Sequence, residues 1–586
     1  MIRLGEPRPD TAGRDSDSLT VCPTRTASGR PEANLGGAVI HLLGLSGVSK
    51  TFGARTVLDG LDLEVSDEAR VGVIGANGSG KSTLLRLLHG DDQPDGGTIA
   101  RRRGMVTAML PQQVAPDERT PHQIVLAARP DLERIEQELD EVGGRLADPA
   151  LAGDLDRMDR VLRRQAVLLE VFEQAGGHAF EGRGRSLLLQ LGLDDTAIDR
   201  PSDVRSGGQR KLIALAACLA AEPELLLLDE PETHLDAEAR SRLEHLIREF
   251  GGAVVMVSHD RYLLDETVTE IAELDGGRIR IWPGNYSTYA AERELELERQ
   301  QQQYVTQQKE IARLEEAIRR FKLWASWVPD ERNIRQARNK QRQIDRMEKI
   351  DRPVLERRKM ALRLRSAQRG GQRVVELHGV DTDLGGRRIL SGVDLTVMRG
   401  ERIGVIGGNG QGKSVLVKLL TGELEPTSGT RWIGPSIEMG LLAQDHDTLP
   451  STTTALEAVR RVSPCTEGEA VQLLTRFLFS YEQVRQPIGR MSGGERTRLQ
   501  LLLLMRAGAN CLVLDEPTNH LDIDSVEVLE GAIERFDGTV IAVSHDRYFL
   551  DRTCDRVVEV ARGRAIAYEG GYSTWYERHR AERAVA

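Results

Sequence analysis

"GVIGANGSGKSTLLRLLHG" (72–90) and "GVIGGNGQGKSVLVKLLTG" (404–422) are the stretches whose reading decides the fold. In each, a short β-rich run meets a glycine-rich loop, then Lys-Ser, then an apolar pattern of helical period. "GANGSGKS" (75–82) and "GGNGQGKS" (407–414) both fit G-x-x-x-x-G-K-[ST], in the strand–loop–helix context that this pattern requires. The glycines allow backbone N–H groups to close around phosphates at a helix N-terminus. Gly75, Ala76, Asn77, Gly78, Ser79, Gly80, Lys81, Ser82 and Thr83 form the first such loop, and Gly407, Gly408, Asn409, Gly410, Gln411, Gly412, Lys413 and Ser414 the second. Lys81 and Lys413 would reach the β- and γ-phosphates of a nucleotide, while Ser82 and Ser414 would ligate Mg²⁺.

The two loops belong to a longer duplication. "LSGVSKTFGARTVLDGLDLEV" (45–65) returns as "LHGVDTDLGGRRILSGVDLTV" (377–397), and "VSHDRYLLD" returns as "VSHDRYFLD". The offset between copies is 332 at Lys81 and Lys413 but 286 at Glu230 and Glu516, so the first copy carries 46 additional residues. They fall at about 130–175, in a charged, amphipathic stretch that predicts one or two helices. The repeats place a first domain at 41–290 and a second at 373–586, with 291–372 as a linker belonging to neither. Residues 1–40, rich in Gly, Pro, Ser, Thr, Asp and Arg, are expected to form a disordered leader.

The 586-residue chain carries a net charge of −11 and no apolar run long enough to cross a bilayer, so membrane insertion is not expected. Its five scattered cysteines have no metal-binding spacing and suit a reduced, cytoplasmic location.

"LLLLDEP" (225–231) and "CLVLDEP" (511–517) read as buried parallel strands that deliver a carboxylate pair to the sheet's C-terminal edge. Asp229 and Asp515 would hold the metal, and Glu230 and Glu516 would polarise the attacking water for in-line phosphoryl transfer. "RSGGQRK" (205–211) and "MSGGERT" (491–497) then make the chain resemble the ATP-binding cassette ATPases. The resemblance implies ATP and Mg²⁺ as cofactors, and two cassettes facing head to tail around two ATP molecules. It assigns Gln112 and Gln444 to nucleotide and metal, and His259 and His545 to the catalytic switch. Ser206, Gly207 and Gly208 would face the nucleotide held by the second copy, and Ser492, Gly493 and Gly494 the one held by the first. Phe52 occupies the family's adenine-stacking position, where the second copy has Leu384; "EPTNHLD" (516–522) keeps the family pattern, whereas "EPETHLD" (230–236) departs from it at Glu232 and Thr233. Two competent sites with unequal rates are expected.

Two cassettes in one chain, the absence of a membrane segment, the long charged linker and "LDEPTNHLD" together resemble the ABC-F subfamily. The implied fold is α/β: two tandem ATP-binding cassette P-loop NTPase domains joined by a long antiparallel α-helical hairpin linker. Members of this subfamily typically bind the ribosome beside the peptidyl-tRNA, so the implied partner is the ribosome, through rRNA and tRNA, with the chain itself a monomer. The linker has its own chemistry. Tyr304, Ile311, Leu314, Ile318 and Phe321 are spaced as one helical seam, and Ile334, Ile344 and Met347 follow on a second helix after a turn in "LWASWVPDERN". Lys322 to Arg369 carries a net charge of +9, against −20 for the remainder. Arg335, Arg338, Arg342 and Arg346 share a face without balancing acids, the footprint of a phosphate backbone; Trp324 and Trp327 at the tip could stack on RNA bases or simply pack the turn. The resemblance leaves translation control and antibiotic protection as roles, and on its own favours protection. Other readings are a nucleic-acid-junction remodelling ATPase, whose relatives often carry a further basic C-terminal coiled coil, and the soluble motor of a membrane transporter, which would leave the basic hairpin unexplained.

Overall fold

The computed structural model describes residues 41–585 apart from 54, 147–154, 203–204, 328–330, 348–370, 443–448, 478 and 520; the leader expected at 1–40 and Gln444 lie outside the described residues. Each sequence repeat builds the same pair of sheets. In the first, Arg55–Ser66, His41–Phe52 and Gly96–Arg101 form an antiparallel sheet. A six-stranded sheet runs in the order Thr107–Leu110, Leu225–Asp229, Ala253–Val257, Arg70–Ile74, Glu270–Asp275 and Arg278–Pro283, parallel except for the last strand. The second copy repeats this order with Met439–Leu442, Cys511–Asp515, Thr539–Val543, Arg402–Ile406, Arg556–Ala561 and Arg564–Glu569. Leu225–Asp229 and Ala253–Val257 are buried along their whole length, as parallel strands covered on both faces must be. One face packs on helix Lys81–His89 and the antiparallel sheet, the other on helices including Gly207–Ala220 and Ala237–Glu249. Three adjacent strands therefore deliver Gly75, Asp229 and the turn before His259 to one carboxyl edge, where open α/β sheets place their ligands.

The additional residues of the first copy form two helices, Pro130–Leu146 and Leu155–Gln174. The linker is an antiparallel helical pair of unequal described arms: Tyr286–Trp327, about 63 Å long at ~1.5 Å per residue, and Glu331–Arg346. The first arm crosses the expected 290/291 boundary without a break, because Tyr286 and Tyr289 are buried in the core of the first cassette and root the helix there. Leu314 and Ile318 of the predicted seam are buried, and Tyr304, Ile311 and Phe321 half-buried. Within "LWASWVPDERN" the helix continues through Trp324 to Trp327, and residues 328–330, where the expected turn falls, lie outside the described residues. Ile334 lies on the second helix, as expected. It is exposed, and Ala337, one turn later, is buried instead.

The cassettes meet through reciprocal ion pairs that respect the 286-residue offset. Arg261 grips Glu530 in the opposite cassette, both almost wholly buried. Arg547 pairs with Glu244 at 3.0 Å in the mirrored position. Each guanidinium also lies over a tyrosine of the other half, Arg261 at 4.5 Å from the Tyr548 ring centroid and Arg547 at 4.6 Å from that of Tyr262. Removing one partner of such a pair strands a buried charge, a loss of about 3–5 kcal/mol. Glu530→Ala should therefore lower the urea midpoint of the full chain far more than Asp159→Ala, which breaks an exposed pair with Arg163. Equal midpoints would show that the interface does not depend on these ions.

Candidate functional site

A cavity of about 720 Å³ opens between the two halves of the chain. One wall is the second copy's phosphate loop and strand end, with Asn409, Gly410, Gly412, Lys413, Ser414, Asp515, Glu516 and His545; the opposite wall is Ser206, Gly207 and Gly208 of the first copy. Ser206 caps helix Gly207–Ala220, its Oγ accepting from Gln209 N–H at 3.3 Å, so a helix N-terminus faces across the cavity. Lys413 Nζ donates to the carbonyls of Gly407 (2.7 Å) and Gly408 (3.2 Å) and lies 3.0 Å from His545 Nε2. Leu384 lines the same cavity.

The equivalent place in the first copy has the same parts. Lys81 Nζ donates to Gly75 O (2.8 Å) and Ala76 O (3.1 Å), and His259 Nε2 lies 3.8 Å from Glu230 Oε1. Gln112 Nε2 donates to Glu230 Oε1 at 2.9 Å, which places this glutamine beside the carboxylate assigned to water activation. Ser492 caps helix Gly493–Arg506 within a capping box completed by Glu495. Phe52 is exposed at the end of its strand, with Lys50 Nζ 5.8 Å from the ring centroid. Glycine is required at the loop's first position: φ is +151° at Gly75 and +152° at Gly407, and a Cβ there would lie 2.3 Å from Leu274 O or Val560 O. Glu230 and Glu516 both adopt left-handed backbone, φ 47° and 49°, a strained conformation that turns each carboxylate off its strand into the site.

Burial sets the electrostatics. It lowers both Lys81 and Lys413, with the nearby carboxylates pulling the other way. It pushes His259 down to about 4, helped by Lys81, and lowers His545, helped by Lys413 and Arg240, so both imidazoles are favoured in their neutral form. It raises Asp229 and Asp515. Glu516 is raised to about 7, with Arg240 and Lys413 opposing the effect of burial. A metal fits this environment. Asp229 is buried, hydrogen-bonds the Ser82 hydroxyl and has an Oδ1 with no hydrogen-bond partner. Carboxylate and hydroxyl oxygens suit Mg²⁺, which would neutralise the like charges gathered here.

The sequence reading missed the residues that join the halves. Asp522 Oδ2 accepts from Asn77 N–H at 3.0 Å, and Asp236 Oδ2 from Asn409 N–H at 3.4 Å, each reaching the opposite phosphate loop. The 286-residue offset relates Asp236 to Asp522, Glu244 to Glu530 and Arg261 to Arg547, a signal that was present but pointed to no chemistry by itself. On the hairpin, Arg335, Arg338, Arg342 and Arg346 are all exposed. Trp324 is half-exposed and packs edge-on against Phe321 with centroids 5.9 Å apart; the side chain of Trp327 lies outside the described residues.

Residues 58–233 and 390–519 match a family described as ABC transporter, and residues 272–364 match a second family model with the same description. The chain is 33% identical over 539 residues to the putative ATP-binding protein YdiF of Bacillus subtilis, covering 92% of this chain and 83% of that one. It is 33% identical over 532 residues to the energy-dependent translational throttle protein EttA of Haemophilus influenzae, covering 89% and 92%. Among solved structures, one described as the complex of archaeal ribosomal stalk protein aP1 and ribosome recycling factor aABCE1 matches with a TM-score of 0.59 at 18% identity, over 92% of each chain, a likeness of fold.

Glu516 gives a test of the electrostatics. A carboxyl raised to about 7 in the folded chain favours folding only while protonated, so that contribution is complete below its unfolded value and is lost as pH rises through about 7. Glu516→Gln should stabilise the nucleotide-free protein by a margin that grows from pH 5 to pH 7 and then levels off, reaching on the order of 2 kcal/mol. Denaturant titrations at several pH values check this, and a margin independent of pH would contradict it.

Proposed function

Because the chain belongs to the ATP-binding cassette family, and within it to the ABC-F group, we propose that it is a ribosome-binding ATPase whose two inter-cassette sites govern how its basic hairpin meets RNA. Hydrolysis of ATP to ADP and phosphate is the activity of its cassettes. In each site the phosphate loop would hold the β- and γ-phosphates, with Lys81 or Lys413 donating to them. The serine-capped helix of the opposite half would complete the γ-phosphate pocket. Mg²⁺, held by Ser82 and Asp229 or by Ser414 and Asp515, would supply charge neutralisation at the phosphates. Glu230 and Glu516 would accept hydrogen bonds from the attacking water, and His259 and His545 would hold its target in line. Loss of the γ-phosphate then removes the ligand that spans both cassettes, and they part.

One observation carries the link from these sites to the hairpin. Arg293, in the rooted first turns of the long arm, pairs with Glu273 of the first cassette at 2.9 Å and with Asp524 of the second at 3.3 Å. Asp524 stands two residues beyond Asp522, which touches the first phosphate loop. The hairpin's root is thus gripped by both halves beside an ATP site, and parting them must disturb it. The exposed arginine row on the second arm gives a polyanion-binding face, and the name of EttA, a translational throttle, points to the ribosome as its bearer and to the cytoplasm as its location. The same name favours control of translation over the antibiotic protection suggested by the resemblance.

The protein carrying both Glu230→Gln and Glu516→Gln should co-sediment with ribosomes in ATP several-fold more than the unaltered chain. Adding Arg335→Glu, Arg338→Glu, Arg342→Glu and Arg346→Glu should reduce that binding by about tenfold or more and flatten its salt dependence. Binding that ignores the charge reversal would remove the hairpin from the account, and absence from the ribosomal pellet would remove the ribosome.

A further inference from the structure

The two switch loops are held differently, and the difference lies in two residues by which the first copy departs from the second. Glu232 stands where the second copy has Thr518, and Arg240 where it has Val526. Buried Glu232 accepts through Oε1 from Ser258 Oγ (2.8 Å), His259 N–H (2.9 Å) and Asp260 N–H (3.3 Å), so one carboxylate oxygen pins the switch loop of the first site from beneath. Thr518 makes only one such contact, 3.3 Å to Ser544 Oγ. Arg240 is also buried. Its Nε donates to Leu235 O at 3.2 Å, while its Nη1 donates to Asp260 Oδ2 at 3.2 Å and, across the interface, to the backbone carbonyl of His545 at 2.8 Å. Buried Val526 has no donor to offer His259 in return.

We propose that Glu232, Asp260 and Arg240 form a one-way polar link by which the first cassette positions the switch histidine of the second site. Arg240 is a positioning residue: it fixes the His545 backbone, and through it the imidazole that lies 3.0 Å from Lys413 Nζ and 3.5 Å from Glu516 Oε1. The chain of contacts runs from the His259 N–H through Glu232, the Asp260 backbone and side chain, and Arg240 to the His545 carbonyl, joining the two sites without touching nucleotide. Glu232 and Arg240 also compensate each other. A second carboxylate buried beside Asp260 would be costly without a cation, and Arg240 is the cation that pairs with Asp260 there. Two departures from the repeat, opposite in charge, therefore make one device. It links a site that is locked in cis to a site that is steered in trans.

The inference rests on the proposed assignment of the two ATP sites, and the experiment separates the two. The full chain carrying Glu232→Thr and Arg240→Val has the residues its own second copy tolerates, with net charge unchanged. Both proteins are given a photoreactive azido-ATP labelled differently at the α- and γ-phosphates, irradiated at intervals, and cut by trypsin in the exposed arginine run. The γ-to-α ratio on each half then reports turnover at each site. The double variant should lose γ-label about tenfold more slowly on the second half, as expected for loss of one hydrogen bond from a charged donor; its first half also loses the Glu232 pin on the switch loop, so selectivity is read from a variant that keeps Glu232. Arg240→Lys, which keeps Glu232 and whose shorter ammonium can still meet Asp260 but stops short of the His545 carbonyl, should slow the second half to the same degree and leave the first within twofold of the original rate. Equal slowing on both halves of Arg240→Lys, or no slowing on the second half of either variant, overturns the link alone. Failure to label the second half at all overturns the two-site reading and the link with it.

Discussion

Each phosphate loop is completed by a carboxylate from the other cassette, and the remaining architecture serves that exchange. Asp522 and Asp236 cap helices of their own halves, accepting from Ser525 N–H at 2.9 Å and Ala239 N–H at 3.0 Å, and reach with the other oxygen to the opposite loop. A capping aspartate is fixed by the helix it caps, so the reach across the interface costs little further ordering. Burial opposes ionisation of Asp522, but hydrogen bonds from Ser525 and Asn77 outweigh it and hold the carboxyl below its ordinary value. The contact is therefore charged, directional and dependent on both cassettes being in register.

Register is what the buried Arg–Glu pairs provide. Desolvating two charges in each pair offsets most of their mutual attraction, so the pairs are poor glue compared with apolar residues of the same volume. Their value lies in the penalty for misalignment. Arg261 shifted by one residue would leave buried Glu530 with the half-exposed Arg552 alone, and the cation–π contact with Tyr548 would be lost as well. An interface that must close on one geometry and reopen is better served by such contacts than by a continuous apolar seam.

The sequence revealed the parts that are local. Glycine spacing, a strand before and a helix after declare each phosphate loop within about twenty residues, and the 7, 3, 4, 3 spacing declared the hairpin seam. What it hid is relational. Arg240 on helix Ala237–Glu249 reads as one more solvated arginine until the opposite cassette supplies the His545 carbonyl. Arg293 reads as an ordinary helix charge until Glu273 and Asp524 meet on either side of it. Ile334 lies on the second helix as expected, but periodicity fixes the spacing of a helix face and not its phase: Ile334 is exposed and the small Ala337 is buried. Glu232 was visible as a departure from the repeat, but only the fold shows that it feeds the loop carrying His259.

The duplication also ties the root of the hairpin more directly to one site than to the other. The helix that begins at Tyr286 in the first copy begins at Tyr572 in the second, and each lies against the opposite cassette beside its capping aspartate: Tyr286 Oη is 3.5 Å from Glu527, and Tyr572 shares a cavity with Asp236 and Ser241. In the first copy that helix becomes the long arm, so the hairpin's root is tied through Asp524 and Asp522 to the loop containing Asn77. The second copy's root helix is Tyr572–Val585, whereas the long arm grows from the first copy's root. The state of the second site has a route to the long arm through the shared interface, where the path Asp260–Arg240–His545 crosses between the sites. Two sites with equal chemistry would then have unequal authority over the hairpin, and the residues that break the symmetry are the ones placed to restore communication between them.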